Sequence, residues 1–343
     1  MQPWNRQHGH FSALVMILIF CCLTLGISPG STDAQNSDEL SQKSLGQSFA
    51  FYAYLQSTTP IPSLVAYHPS HNDPNVGQAI FQVNKDSLRK DLVALHPAFN
   101  GLVLYAYRDS LTLLIVEQAL QLKYEGILLA IWDPNSKQEI DGILALIARY
   151  HHRIALAVCV GNEGLTFNRY TLPDLTKSIQ ALRRRLPPKV HIPICTSEPL
   201  YQYANAGLQA IGDFLCPNIH PVFDRPDLGP DEAVKWVRDQ ARLLSMESRK
   251  PVLIKETGFP HAGAPQFTPM SQANFWNTYR TQPQLLILAE SSTPLLWVSF
   301  AAAFEAFDQP WKAERSGQSM EGAWGLLSVD RHPYPAFKIW HRK

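Results

Sequence analysis

No glycine-rich loop follows any apolar run of this chain, which removes the phosphate-cradling signature of a dinucleotide-binding fold. There is no excess of charge of either sign: 30 Lys and Arg against 29 Asp and Glu leave a net +1. Such a balance gives no electrostatic case for nucleic acid or for an acidic membrane surface, and suits a neutral partner. The one basic cluster, Arg183-Arg184-Arg185, closes a predicted helix. A disulfide framework is missing too. Of the five cysteines, Cys21 and Cys22 lie in an apolar N-terminal run, while Cys159, Cys195 and Cys216 each fall in a predicted buried strand. An odd number placed in this way reads as packed free thiols. His68 and His71 lack the further strand-end ligands of a catalytic zinc site, so neither metal nor cofactor is expected.

Long hydrophobic runs are absent apart from residues 11–27, which follow Arg6 and end at Ser28-Pro29-Gly30, with small residues around Thr32-Asp33-Ala34. That pattern predicts export to a periplasmic or extracellular location, with residues 1–34 serving as a cleaved signal or as an uncleaved membrane anchor. Residues 35–60 read as a tether, and its segment Phe49 to Leu55 as an element packed under the following domain. From residue 61 to residue 343 the chain reads as one domain.

What fills that domain is alternation. Short apolar runs end at Tyr67, Tyr105, Trp132, Glu163, Ser197, His220, Glu256 and Phe300, on average about 33 residues apart, the length of a strand-loop-helix-loop unit. Between them lie helical stripes: Leu88, Leu92 and Leu95; Ile140, Ile143, Leu144 and Ile147; Leu175, Ile179 and Leu182 after Thr171-Leu172-Pro173-Asp174. Pro230-Asp231-Glu232 starts another, with acid in the first turn where the helix dipole favours it. Eight strands alternating with helices predict an α/β fold, a closed (β/α)8 barrel.

Two of the strand tips carry glutamate. Ala155 to Val160 breaks at Gly161-Asn162-Glu163, and Pro251 to Ile254 ends at Lys255-Glu256-Thr257-Gly258-Phe259-Pro260. Barrels place their chemistry at the C-terminal ends of strands. Paired carboxylates are what glycosidic cleavage requires, one to protonate the leaving oxygen and one to deal with the anomeric carbon. Asn162, beside Glu163, can reach the sugar hydroxyl next to the reacting carbon. By strand alternation Lys255 points away from the barrel mouth, toward the helices.

Val160-Gly161-Asn162-Glu163 and Glu256-Thr257-Gly258-Phe259-Pro260 resemble the acid/base and nucleophile motifs of glycoside hydrolase family 17. Phe304-Glu305-Ala306-Phe307-Asp308-Gln309-Pro310-Trp311-Lys312 followed by Glu321-Gly322-Ala323-Trp324 resembles the family's segment after the last strand. Asn218-Ile219-His220-Pro221 and Ala66-Tyr67-His68-Pro69 are further matches, in the family's order, across residues 60–338. The resemblance implies a retaining enzyme of β-1,3-glucan, with Glu256 as nucleophile, Glu163 as acid/base, and hydrolysis or glucanosyl transfer as the outcome. It places Asp308, Lys312, Glu321 and Trp324, past the last strand, as candidate sugar contacts. The strand-end aromatics Tyr67, Tyr105 and Trp132 are candidates as rings that stack on sugars, and Asn162, His220 and Phe259 stand beside the strand-tip motifs as further candidates. The partner implied is a β-glucan oligosaccharide or polysaccharide, met by a monomer. A rival reading is a non-catalytic glucan-binding barrel at the cell surface. Departures from the family pattern fall at Val103, where it usually carries Arg, at Phe259 for Trp, and at Gln309 for an acid; they bear on subsite preference.

Overall fold

The computed structural model describes residues 49–72, 85–283, 285–287 and 296–342. The predicted export segment and most of the predicted tether lie outside them. Among the described residues no helix is long and apolar enough to cross a membrane.

Five strands form one parallel sheet in sequence order: β1 (Leu64–Ala66), β2 (Gly101–Val103), β3 (Gly126–Ile131), β4 (Ala155–Asn162) and β5 (Ile194–Ser197). Three further barrel positions close it through parallel bridges. Residues 215–218 join the fifth strand at Pro199 and Asn218, residues 252–257 join them at Val252 and Glu256, and residues 298–303 return to the first strand where Ala303 pairs with Val65. The pairing is sparse at the sixth position because Pro217 has no N–H to give, although its carbonyl still accepts from the Lys255 amide at 3.0 Å. A (β/α)8 barrel results. One departure from simple alternation precedes the eighth position, where β6 (Leu285–Ile287) pairs antiparallel with β7 (Leu296–Val298).

The helical stripes land where the periodicity puts them. Leu88, Leu92 and Leu95 of Lys85–Leu95, Ile143 and Ile147 of Lys137–Tyr150, and Leu175 and Leu182 of Leu172–Arg185 are buried against the outer face of the sheet. The last of these helices begins in a capping box, Thr171 and Asp174 satisfying each other's backbone N–H.

Inside the barrel a second apolar layer is built from small and medium side chains: Val103, Leu128, Ala130, Ala157, Cys159, Cys195, Cys216 and Leu253. The three cysteines are buried free thiols on adjacent strands. The N-terminal end of this layer is stoppered by the short helix Ala50–Leu55, whose Phe51, Tyr54 and Leu55 are buried. Tyr54 donates to Asn100 Oδ1 at 3.0 Å and lies so close to Gly126 that a Cβ there would approach its ring to 2.5 Å. Burying such side chains contributes about 1.5–3 kcal/mol each, so the stopper holds firmly and leaves the opposite end, with the strand tips, as the open one.

Candidate active site

Glu163 reaches that open end through a break in its strand. The register between β4 and β5 shifts between Cys159 and Asn162, and Gly161 and Glu163 both take left-handed φ angles, 78° and 54°. Only glycine suits position 161, since a Cβ would also sit 2.3 Å from the Tyr170 hydroxyl. The loop that follows is pinned by Glu198, a fully buried carboxylate. It accepts from the Leu165 amide at 2.9 Å, the Thr166 amide at 3.3 Å, the Thr166 hydroxyl at 3.2 Å and the Tyr170 hydroxyl at 3.1 Å.

A hydrogen-bonded path joins the two strand-tip glutamates. The Asn218 amide nitrogen donates to Glu163 Oε1 at 3.0 Å and lies 3.4 Å from Asn162 Oδ1. That same Asn162 oxygen accepts from Lys255 Nζ at 2.7 Å, and Lys255 Nζ meets Glu256 Oε1 at 3.0 Å. On the other side His220 Nε2 lies 3.3 Å from Glu256 Oε2. The Ser197 hydroxyl bonds Asn218 Oδ1 at 2.9 Å, so the Asn218 amide nitrogen faces the two acceptors in front of it.

This corrects the orientation expected for Lys255. Val252 and Ile254 face the helices while Leu253 lies in the inner layer, so alternation carries Lys255 inward. Glu256, at the tip, lies over the mouth instead of continuing the pleat.

The environments of the two carboxyls diverge. Burial raises the Glu163 carboxyl above its ordinary range, and the charge of Glu256 adds to this against the Asn218 hydrogen bond. Burial would raise Glu256 as well, but Lys255 and His220 outweigh it and hold the carboxyl at about 2. One group thus tends to keep its proton and the other to lose it, the division that acid and nucleophile roles need. Burial pulls His220 down, and the carboxylates of Glu256, Glu163 and Glu321 more than restore it, leaving it raised.

A third carboxyl stands nearby. Glu305 is buried, accepts from Lys312 Nζ at 2.6 Å, and is pushed up to about 7 by burial, with the charge of Glu256 adding and that of Lys312 opposing.

Of the candidate sugar contacts, Asn162, Tyr105 and His220 are gathered around Glu256. The Tyr105 ring lies 4.1 Å under Lys255 Nζ, and its buried hydroxyl faces Glu256. Trp132 is exposed at the mouth with the Arg169 guanidinium 3.9 Å above its ring, and Arg169 also bonds the Asn162 carbonyl. Lys312 serves Glu305, and Glu321 is half-buried in the turn Ser319–Gly322.

The other four lie inside the packing. Tyr67 is buried and its hydroxyl donates to Asp91 at 3.0 Å. Phe259 is buried between Phe267 and Phe275, ring centroids 5.4 and 5.8 Å away. Asp308 accepts from His261, the Gly325 amide and Tyr334, which ties the segment after the eighth position together. Trp324 is fully buried and packs edge-on against His220 at 5.2 Å and Phe304 at 5.4 Å.

Glu198, Asn218, Lys255 and Glu305 were not among the sequence candidates. Glu198 meets the criterion that picked out Glu163 and Glu256, a carboxylate directly after a strand tip. Asn218 and Glu305 stand inside the motifs already quoted.

The model of the BtgE/BtgC glycoside hydrolase domain matches residues 65–325. Among curated proteins, the chain is 26% identical to a probable glucan endo-1,3-beta-glucosidase btgC of Aspergillus clavatus, over 90% of this chain and 47% of that protein. It is 25% identical to a glucan 1,3-beta-glucosidase of Arthroderma benhamiae, over 67% of this chain and 77% of that one. The chain spans about half the length of the btgC relatives it matches. Among solved structures, the family 17 β-1,3-glucanosyltransferase of Rhizomucor miehei superposes with a TM-score of 0.60 at 20% identity, covering 81% of this chain and 97% of that one. A β-1,3-glucanase of Cryptomeria japonica pollen superposes at 0.54 and 13% identity, covering 80% and 99%.

Proposed function

Because the chain belongs to the BtgE/BtgC glycoside hydrolase domain family, we propose that it is a glycosidase of β-1,3-glucan that works with retention through a glycosyl-enzyme. The observation that carries this reading is the opposed pair: Glu163 with its carboxyl raised, Glu256 held at about 2, joined through Asn218, Asn162 and Lys255. The relatives' names supply the substrate class, as does a complex of the Rhizomucor miehei glucanosyltransferase with laminaritriose.

In the first step Glu256 attacks the anomeric carbon while Glu163 gives its proton to the departing sugar oxygen. In the second, Glu163 takes a proton from the incoming hydroxyl, which displaces Glu256. Asn162 bonds the hydroxyl beside the reacting carbon, Glu321 acts on the ring at the cleavage point, and Trp132 contacts a flanking ring. Tyr67, Phe259, Asp308 and Trp324 act from behind, Trp324 by holding His220 against Glu256. Export through residues 11–27 and action as a single chain complete the reading.

Product analysis on laminari-oligosaccharides tests it. Shorter products identify hydrolysis and longer ones transfer, and Glu256→Gln removes both while circular dichroism shows the chain still folded. No product from the parent, or turnover by Glu256→Gln above trace level, contradicts the reading.

A further inference from the structure

We propose that Lys255 is a positioning residue for this reaction: its sealed ammonium sets Glu256 as an anion aimed at the anomeric carbon and steadies that anion again as it leaves the glycosyl-enzyme. The inference rests on the reading of Glu256 as nucleophile.

A lysine side chain with no solvent exposure is costly, since an unpaired buried charge loses several kcal/mol of hydration. Position 255 faces the barrel's inner layer, where Leu253 supplies an apolar side chain two residues earlier. Packing alone would be served by another apolar group. Instead the ammonium is surrounded on three sides: Glu256 Oε1 at 3.0 Å, Asn162 Oδ1 at 2.7 Å, and the Tyr105 ring at 4.1 Å. Two oxygens and one ring face match its three N–H bonds.

The titratable groups around this pair are Tyr105 from the second strand, Cys159 and Glu163 from the fourth, Cys195 from the fifth, Cys216 and His220 from the sixth, and Glu305 from the eighth. His220 touches the other oxygen of Glu256, but an imidazole carries charge only while it is protonated. Lys255 is the lasting cation at Glu256.

Its charge matters differently in the two steps. When a Glu256 oxygen bonds the anomeric carbon, the glycosidic bond breaks toward the leaving oxygen, which takes the proton of Glu163. Glu256 is then a neutral ester, and Lys255 loses the charge opposite it while keeping Asn162 and the Tyr105 ring. When the acceptor oxygen bonds the same carbon, its proton passes to Glu163 and the ester bond breaks toward Glu256. The electron pair returns beside a waiting ammonium, so loss of Lys255 falls hardest on this second step.

The test compares Lys255→Met, Lys255→Gln and Lys255→Arg with the parent in the pH dependence of kcat/KM, and in turnover of an activated aryl β-glucan oligosaccharide. The sign is fixed: a depressed Glu256 gives activity above its own pKa, lost as pH falls through it. In the parent the acid limb lies below the ordinary carboxylate range. Lys255→Met and Lys255→Gln move it up by about one to three pH units, and kcat falls on the order of tenfold with KM falling alongside, because glycosyl-enzyme accumulates. Lys255→Arg restores the limb. An acid limb unmoved in both uncharged variants, or a parent limb already near pH 4, overturns the proposal. If Lys255→Met fails to fold, the parent limb and Lys255→Gln decide. An active Glu256→Gln sinks the nucleophile reading and this one with it; an inactive Glu256→Gln beside an unmoved limb sinks this one alone.

Discussion

Asn218→Ala removes the side-chain amide that donates to the Glu163 carboxyl, and its effect on the pH profile can be worked from the geometry. The Asn218 nitrogen lies 3.0 Å from Glu163 Oε1, and its direction is set by Ser197 on its oxygen and by two acceptors before it. A hydrogen bond to a charged group contributes about 1.5–3 kcal/mol, and a pKa unit corresponds to about 1.4 kcal/mol. Glu163 is half-buried, which favours the low end, about one unit. Asn218 stabilises the ionised form, so its loss raises the Glu163 carboxyl further. Glu163 must carry a proton to act as acid, so activity is lost as pH rises through its pKa, and the raised group extends activity upward. The assay is kcat/KM for laminari-oligosaccharide against pH, with Asn218→Ala expected to carry the alkaline limb about one unit higher. Glu163→Ala is the control and lacks that limb. A limb that stays put, or moves to lower pH, refutes both the direction of the Asn218 bond and the acid role of Glu163.

Other expectations follow from the same geometry. Glu321→Gln lowers kcat together with kcat/KM by about 2–4 kcal/mol if its charge acts near the reacting ring; values within twofold of the parent assign it to the surface. Phe51→Ala empties the stopper at the closed end of the barrel and lowers stability by about 3–5 kcal/mol in urea titrations, whereas an unchanged midpoint makes the segment dispensable. Burial raises Cys159, Cys195 and Cys216, so a thiol reagent leaves native activity intact and modifies all three only after unfolding. Rapid inactivation that tracks labelling of one of them contradicts the packing described.

The barrel was legible because its elements are written locally. Gly161-Asn162-Glu163 and Lys255-Glu256-Thr257 announce strand tips through apolar runs and their breaks, and the leucine stripes of Lys85–Leu95 and Leu172–Arg185 carry the helical period in plain view. The eighth position runs on to Ala303, beyond the expected Phe300, because its closing partner Val65 is far away in sequence. What stayed hidden are buried polar pairs whose partners come from other strands. Lys255 reads as an outward lysine until Leu253 is seen to face inward and Asn162, 93 residues earlier, to accept its hydrogen bond. Glu198 is plain as a strand-tip acid, yet its work on Leu165, Thr166 and Tyr170 belongs to a loop folded back from the fourth strand. Aromatic residues near strand ends misled for the opposite reason: Tyr67, Phe259 and Trp324 have the composition of sugar platforms, but the packing after the strands covers their faces.

The identity of the nucleophile is open to direct chemical reading. An activated 2-deoxy-2-fluoro β-glucosyl or laminaribiosyl substrate slows release of the glycosyl-enzyme, so the label survives digestion and mass spectrometry. The account predicts one sugar adduct per chain, on the peptide that contains Glu256, and no adduct in Glu256→Gln. A label on Glu163 or Glu305, or an active enzyme that never carries a label, would contradict it.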